Sequence, residues 1–186
     1  MQGNEIILRL PSLGINFRRE ELFLAAEWFA IRVRASAEDR VLIGVAAARM
    51  EAFLPVELVP CAHRGRRWTM WRPVFPGHVF AMLDPTRDIP RLKSIEGVDD
   101  LVRPNGKLVP VADDAIKALR RAERDGLFDA AANCRLPDDD AEPLDERFTG
   151  FVTKVRRARW SKKRTALLMD LLLARQAMQD ACKTAS

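Results

Sequence analysis

Apolar residues follow one another from Val79 to Leu83, and a run of this length is typical of a strand. A run without polar interruptions indicates a strand that is covered on both faces. The residues before it favour a turn, because Pro76 presets one backbone angle and Gly77 tolerates a positive φ. The pattern therefore predicts a central buried strand that is entered through the turn Phe75-Pro-Gly77.

Polar and apolar residues alternate from Trp28 to Arg34, which predicts a second strand. The face that is expected to point inward carries Phe29, Ile31 and Val33. Ser36 then stands where a helix N-cap is favoured, and apolar residues continue at helical spacing. We expect a helix over residues 37–53 that packs on the sheet.

The remaining patterns divide the same region into further short elements. Strands are predicted over residues 53–59, 101–103 and 108–111, helices over 89–95 and from Asp113, and a basic hairpin tip between Cys61 and Thr69. No phosphate-binding loop interrupts the alternation of strands and helices. The predicted fold class is therefore α+β, with a mostly antiparallel sheet flanked by helices.

Charge is segregated along the chain of 186 residues, whose net charge is +5. Arginines crowd residues 64–72, a second basic cluster occupies residues 154–164, and six acidic residues lie from 138 to 146. The positive balance favours a polyanionic partner. The acidic run also predicts a linker, which divides the chain into an N-terminal extension (1–26), expected to be partly disordered, a domain (27–124), the linker (125–146) and a C-terminal module (147–186).

The residues that catalysis requires are sparse. The three cysteines are scattered without C-x-x-C spacing, so neither a disulfide framework nor a zinc site is indicated. His63 and His78 have no cysteine or carboxylate at ligand spacing, and Asp138–Asp140 lacks the glycine and distal glutamate of a calcium loop. No nucleotide-binding, zinc-protease or serine-hydrolase motif occurs. We expect a protein without catalytic activity, cofactor or metal.

The sequence also contains no segment that indicates a membrane. No apolar stretch approaches the length of a membrane span, and no long apolar core follows the first charges. Scattered cysteines fit a reducing compartment. We therefore expect a cytoplasmic protein without membrane contacts.

Three segments resemble the N-terminal domain of NusG-type transcription factors, a family that includes RfaH. They are Trp28-Phe-Ala-Ile-Arg-Val33, Phe75-Pro-Gly-His-Val-Phe80 and Gly97-Val-Asp-Asp-Leu-Val-Arg103, and they occur in the family's order and spacing. The resemblance covers residues 27–123. It implies a four-stranded antiparallel sheet flanked by helices, in a factor that binds RNA polymerase.

The C-terminal module has two interpretations. Gly150-Phe-Val-Thr-Lys-Val155 followed by Leu167–Leu173 is similar to a divergent KOW module, which implies a small β-barrel. Local propensity favours a helix instead, since Leu167–Met178 contains good helix formers and few β-branched residues. RfaH is the family precedent for a module that is helical while docked and a barrel when released. We expect a KOW-like barrel, with a helical tail as the alternative.

The resemblance also implies a polymerase-binding surface. In the family, a largely apolar face of the N-terminal domain docks on the clamp helices of RNA polymerase. The matching positions here are Phe75, Pro76, His78, Phe80, Ile95, Leu101 and Pro104. His78 stands where relatives usually carry tyrosine, and Pro104 where RfaH has an aromatic residue, so this surface is less aromatic. A place in the core is the alternative for Phe75, Phe80 and Leu101, and for Phe80 the two interpretations are equal.

Two groups of arginines are candidate nucleic-acid contacts. Arg32, Arg34 and Arg40 match the edge that relatives turn toward the non-template DNA strand. Arg64, Arg66 and Arg67 lie at the predicted hairpin tip, where contacts with phosphate are expected. Trp68 and Trp71 are candidates for stacking on bases, with a place over the sheet as the alternative.

The leading hypothesis is a specialised transcription elongation or antitermination factor. It would bind the RNA polymerase clamp helices, contact non-template or upstream DNA, and modulate pausing or termination. Contact with the polymerase gate loop is left open, because Asp88-Ile-Pro90 replaces the polar segment that RfaH uses. A ribosomal protein or a termination factor is the expected partner of the C-terminal module. The alternative is a stand-alone RNA- or ribosome-binding protein, favoured by the basic cluster at residues 154–164.

Overall fold

The structure, a computed structural model, describes residues 6–10, 13–17, 26–129, 146–158 and 161–184. The strands are β1 (Ile6–Leu10), β2 (Leu13–Phe17), β3 (Glu27–Val33), β4 (Glu51–Phe53), β5 (Val56–His63), β6 (Arg66–Pro73), β7 (His78–Leu83) and β8 (Val98–Leu101). The helices are α1 (Glu38–Ala47), α2 (Pro85–Lys93), α3 (Asp113–Arg124), α4 (Glu146–Arg157) and α5 (Ser161–Thr184), with one 3₁₀ turn at Pro104–Gly106.

The chain forms two compact units. Residues 1–54 and 77–110 make up the first, which we call the sheet unit, and residues 55–76 and 111–186 make up the second, which we call the hairpin unit. In the extension, β1 and β2 pair as an antiparallel hairpin. None of the helices within the described ranges is long and apolar enough to cross a membrane.

The sheet unit is built on a four-stranded antiparallel sheet in the order β4-β7-β3-β8. All six residues of β7 are buried, which confirms the prediction of a central buried strand. The turn before β7 is also confirmed: Gly77 has a φ of 78°, and its carbonyl oxygen accepts a hydrogen bond from the Val33 N–H at 2.9 Å. The α+β class and the antiparallel sheet were thus predictable from the residue pattern.

Strand β3 is more deeply buried than its alternation predicts. Phe29, Ile31 and Val33 are buried as expected, but Trp28 and Ala30 on the opposite face are also only 2% exposed. The position of β3 between β7 and β8 pairs both of its edges, and the burial of residues on both faces shows that each face is covered by packing. On the face that carries Trp28 and Ala30, only Arg32 is exposed.

Helix α1 is shorter than predicted and begins without the expected cap. Its N-cap is Ala37, which makes no side-chain cap hydrogen bond, and Ser36 adopts a φ of 60° instead. The helix ends because Arg49 takes a left-handed φ of 60°, and the Met50 N–H donates to the Val45 carbonyl at 3.1 Å. The residues after it form β4 and pair with β7, so the prediction of a helix to residue 53 was wrong.

Helix α2 begins four residues before its predicted start at Ile89. The Asp84 side chain caps it by accepting a hydrogen bond from the Thr86 N–H at 2.9 Å, and Pro85 occupies the first turn, where proline is tolerated. The sequence analysis missed this Asp-Pro start, which is a common helix signal.

The hairpin unit is built around β5 and β6, which pair from Val56 with Pro73 to His63 with Arg66. The strand predicted over residues 53–59 was therefore displaced toward the C-terminus. Residues 108–111 form no strand beyond an isolated bridge at Val111, since Pro110 lacks the N–H that a ladder requires. Helix α3 starts at Asp113 as predicted.

The described residues of the C-terminal module form two helices, α4 and α5. The structure therefore contains the helical alternative in place of the expected barrel, in agreement with local propensity. Of the predicted linker, residues 125–129 follow α3, and residues 130–145 lie outside the described part of the chain.

Candidate functional site

The β5–β6 hairpin presents a row of cationic side chains. Arg64 and Gly65 connect its strands with φ values of 49° and 79°, and two positive φ values are the signature of a type I′ hairpin turn. This turn favours the twist of a long hairpin. Arg64, Arg66 and Arg67 are all exposed there, as the sequence predicts.

Exposed apolar side chains lie among these arginines. Trp68 and Met70 are each 48% exposed and Trp71 is 54% exposed. Because successive strand residues point to opposite faces, Trp68 and Met70 share one face of β6 with Arg66 and Arg72, while Trp71 lies on the other. Cross-strand pairing adds Cys61 and Val59 to the first face, opposite Trp68 and Met70. We call this first face of the hairpin the Trp68 face.

At the base of the hairpin, the carboxylate of Glu57 is buried and bound by two arginines. Arg164 of α5 donates from Nη1 at 2.7 Å and from Nη2 at 2.9 Å, and Arg72 of β6 donates from Nε at 2.9 Å and from Nη2 at 2.7 Å. The Arg164 Nε also donates to the Ala158 carbonyl at 2.8 Å. These bonds attach the C-terminal helices to the hairpin.

A second contact of the C-terminal helices involves Phe75. Its ring is fully buried and stacks on Phe151 of α4, with ring centroids 6.5 Å apart and an interplanar angle of 13°. Val152 and Val155 of α4 are also buried. Helix α4 therefore covers the aromatic residue that starts the Phe-Pro-Gly turn.

Two carboxylates accept backbone hydrogen bonds along the edge of β5 that is not paired with β6. Glu123 accepts a hydrogen bond from the Val56 N–H at 3.0 Å, and Asp129 accepts one from the Leu58 N–H at 2.7 Å. The pKa of Glu123 is raised to about 7, because burial raises it by more than the hydrogen bond from the Val56 N–H and the charge of Arg120 lower it; the charge of Asp129 adds a smaller increase. The Glu123 carboxyl group is therefore close to half-protonated near neutral pH.

The residues predicted to bind polymerase are distributed over both units. Phe75 and Pro76 belong to the hairpin unit, whereas the sheet unit contains His78, Phe80, Ile95, Leu101 and Pro104. Pro76 and Ile95 are half-buried, and the other five are buried. Phe80 stacks on Phe53 of β4 at 6.2 Å, which places it in the core of the sheet unit.

Arg32, Arg34 and Arg40 lie in the sheet unit, and two of them form ion pairs with acidic residues. Arg32 donates from Nε to Asp99 at 3.2 Å, and Arg40 donates from Nη1 to Glu96 at 2.7 Å, both on the surface. Arg34 is exposed. The positive charges of Arg32 and Arg40 are thus partly balanced within the sheet unit.

Asp88 of α2 has a structural role. Its buried carboxylate accepts hydrogen bonds from the Asp84 N–H at 3.0 Å and from Arg87 Nε at 3.0 Å. Burial raises the pKa of Asp88, but these bonds and the charges of Arg87 and Arg91 outweigh it, so that the net pKa is lowered. Asp88 therefore stabilises the start of α2.

Sequence reasoning missed the Glu57 cluster and Phe151. One signal was present, because Glu57 is the only acidic residue between Glu51 and Asp84, and it interrupts an apolar strand. A lone carboxylate in such a strand requires a cationic partner, although nothing local identifies Arg164. Within the ranges that the structure describes, no group of three acidic, histidine or cysteine side chains is arranged to hold a metal.

Comparison with known proteins gives one family. The model of the family described as "Transcription termination factor nusG" matches residues 26–120, just over half of the chain. The solved structure of Thermotoga maritima NusG is similar at 20% identity and a TM-score of 0.40, over 53% of this chain and 58% of that one. This chain thus spans less than two thirds of that structure. A search of curated proteins gave no match.

Proposed function

We propose that this chain, which belongs to the NusG family of transcription factors, is a specialised elongation or antitermination factor whose C-terminal helices cover Phe75, one residue of its polymerase-binding surface. Members of the family bind RNA polymerase and are not enzymes. This chain acts by occupying the polymerase clamp helices, which favours the elongating state through differential binding. Competition with a general factor for this surface would restrict it to a subset of genes.

The stacking of Phe75 on Phe151 is the observation that carries the masking. Phe75 matches a position that relatives use to bind the clamp helices, yet its side chain has no exposed surface. A partner can reach it only after α4 moves away. The two-helix form of the C-terminal module is also the docked form that the resemblance to RfaH implies.

The other proposed contacts differ in how directly they can act. Pro76 and Ile95 are half-buried, so each already presents part of its surface to a partner. His78, Leu101 and Pro104 are buried in the sheet unit. Phe80 supports the surface from the core, because it stacks on Phe53.

Binding to a peptide that spans the clamp helices tests this proposal. Phe151→Asp removes the stack and places a charge against Phe75, so it should release α4 and strengthen binding about tenfold, which corresponds to about 1.4 kcal/mol. Adding Phe75→Asp to this variant should abolish the gain. Met178→Asp is the matched control, because Met178 is 70% exposed on α5 and its substitution should leave binding unchanged.

Two results would count against the proposal. If Phe151→Asp and the wild type bind the peptide equally, the helices do not mask the surface. If the double variant keeps the increased affinity, Phe75 is not part of the surface. Circular dichroism of each variant shows whether its fold is retained.

A second candidate function is RNA binding without polymerase. The supporting observation is that five cationic residues are exposed around the junction of the two C-terminal helices: Lys154, Arg156, Arg157, Lys162 and Lys163. Binding through this cluster would depend steeply on salt. The neutralised variant Lys162→Gln/Lys163→Gln should then weaken RNA binding without changing the affinity for the clamp-helix peptide.

A further inference from the structure

We propose that the Trp68 face of the hairpin is a binding platform for single-stranded nucleic acid, on which one base stacks against Trp68 while Arg66 binds the adjoining phosphate. This inference rests on the proposed nucleic-acid role of the hairpin arginines. It does not require polymerase binding, so the two can fail separately.

The first observation is a concentration of exposed apolar surface. Six large apolar side chains are exposed among the residues that the structure describes, and two of them, Trp68 and Met70, are neighbours on the Trp68 face. Single exposed apolar residues are ordinary, whereas clustered ones mark interaction sites. The cluster lies on β6, where every residue except Pro73 is exposed.

The second observation is uncompensated positive charge. No carboxylate in the described part of the chain lies within ion-pair distance of Arg64, Arg66 or Arg67, in contrast to Arg32 and Arg40. The sequence contains no acidic residue between Glu57 and Asp84, and Glu57 is already bound by Arg72 and Arg164. The platform is therefore complementary to a polyanion.

The arrangement favours single strands over duplexes. Stacking on an aromatic side chain needs an unpaired base with a free face, and it is tolerant of base identity. Alternate residues of a strand lie about 6.8 Å apart, so Arg66 and Met70 flank Trp68 at a distance suited to the neighbouring phosphate and base. In a duplex the base faces are already stacked on each other, so this surface could contact its phosphates but could not stack on a base.

The Trp68 face is favoured over the opposite face for two reasons. It combines Trp68 and Met70 between two arginines, whereas on the opposite face Trp71 lies between Thr69 and Pro73 and the arginine, Arg67, is four positions away. Its base is also held rigidly, because Arg72 and Arg164 both bind Glu57. A rigid platform loses less conformational entropy when a ligand binds.

Fluorescence anisotropy with the full chain tests the platform. Labelled twelve-residue oligo(dT) and oligo(U) are compared with a twelve-base-pair duplex, in the absence of polymerase. Trp68→Ala should weaken binding of the single strands about tenfold, within the range of about 1–3 kcal/mol for one stacked base, and leave duplex binding unchanged. Trp71→Ala is the matched control and should change neither affinity more than twofold.

Salt dependence tests the phosphate contact. Arg66→Ala should reduce the slope of log affinity against log salt concentration by about 0.7 for the loss of one phosphate contact on a single strand. The oligo(dT) and oligo(U) arms distinguish DNA from RNA as the preferred source, and tighter binding of either supports the platform.

The inference is overturned if no oligonucleotide binds, if duplex and single strands bind equally, or if Trp68→Ala binds like the wild type. A loss of oligonucleotide binding in Trp68→Ala with unchanged affinity for the clamp-helix peptide would support the platform and separate it from the polymerase surface. Circular dichroism establishes that the variants remain folded.

Discussion

The guanidinium of Arg164 makes a two-point ion pair with the buried carboxylate of Glu57, and the two residues are 107 positions apart in the chain. The pair joins α5 to β5, the first strand of the hairpin. Burial makes the partnership important, since removing one member of a buried pair leaves an uncompensated charge. Arg72 shares the same carboxylate from the exposed side, so Glu57 keeps one partner when the C-terminal helices leave.

Arg164→Met is therefore expected to weaken the docking of the C-terminal helices. The substitution costs about 3 kcal/mol, at the lower end for a broken buried pair, because Arg72 remains to compensate Glu57. For a chain of this size the midpoint of thermal unfolding should fall by about 6–12 °C. Differential scanning calorimetry measures the change.

Two further variants define the origin of that effect. Lys163→Met is the matched control, since Lys163 is exposed beside Arg164 and its loss should shift the midpoint by no more than about 2 °C. Glu57→Gln combined with Arg164→Met removes both charges and should recover part of the lost stability. An unchanged midpoint in Arg164→Met alone would show that the pair does not stabilise the fold.

The aromatic stack provides a second, independent test of docking. Phe151→Leu keeps an apolar side chain but loses the stacked geometry with Phe75, and should destabilise the hairpin unit by about 1 kcal/mol. Urea denaturation followed by circular dichroism measures it. Arg156→Leu changes an exposed position on the same helix and should be near neutral; a loss of equal size there would indicate a general effect on helix α4.

The sequence analysis succeeded where local pattern determines the structure. The unbroken run from Val79 to Leu83 predicts a buried strand because apolar side chains at every position require packing against both faces. The helix at Asp113 begins where acidic residues favour a helix start. The four-stranded sheet came from the order of the three family segments, since alternation alone leaves the partners of each strand open.

The failures have a common physical cause, which is that contacts distant in sequence decide the outcome. Arg49 ends α1 in a left-handed conformation, and the residues after it gain more by pairing with β7 than by extending the helix. The sequence of the C-terminal module resembles a barrel module but also has high helix propensity. Contacts with Glu57 and Phe75 favour the helices. No local pattern links position 57 to position 164.

The raised pKa of Glu123 predicts a stability that falls as pH rises. In the folded state its pKa is about 7, above the ordinary value of 4.5, because the carboxyl group is partly buried. Between these two values the folded chain holds a proton that the unfolded chain has lost, so stability decreases through this window and levels off above it. Partial exposure limits the decrease to about 1–2 kcal/mol.

Glu123→Gln should remove this dependence, because glutamine can still accept the Val56 N–H but does not titrate. Unfolding free energies of wild type and variant are compared from pH 5 to pH 8, and their difference should shift in favour of the variant as pH rises. Asp88 does not contribute here, since its pKa is lowered and its titration lies below this window. Parallel curves would show that Glu123 is ionised throughout.

Gly97 lies against Ala37 and Val41 in the sheet unit. Its substitution by alanine should destabilise that unit more than the same substitution at Gly106. Gly97 has a φ of 99°, and a Cβ atom there would lie 2.9 Å from Ala37 Cβ and 3.1 Å from Val41 Cγ2. Gly106 has a φ of 75° but nothing within 4 Å of the added atom. Both alanine variants bear backbone strain of about 1 kcal/mol, and Gly97→Ala also forces α1 outward at a further cost of about 1–3 kcal/mol. The midpoint of thermal unfolding should therefore be highest for the wild type, lower for Gly106→Ala and lowest for Gly97→Ala. Equal midpoints for the two variants would show that α1 moves without a cost in stability.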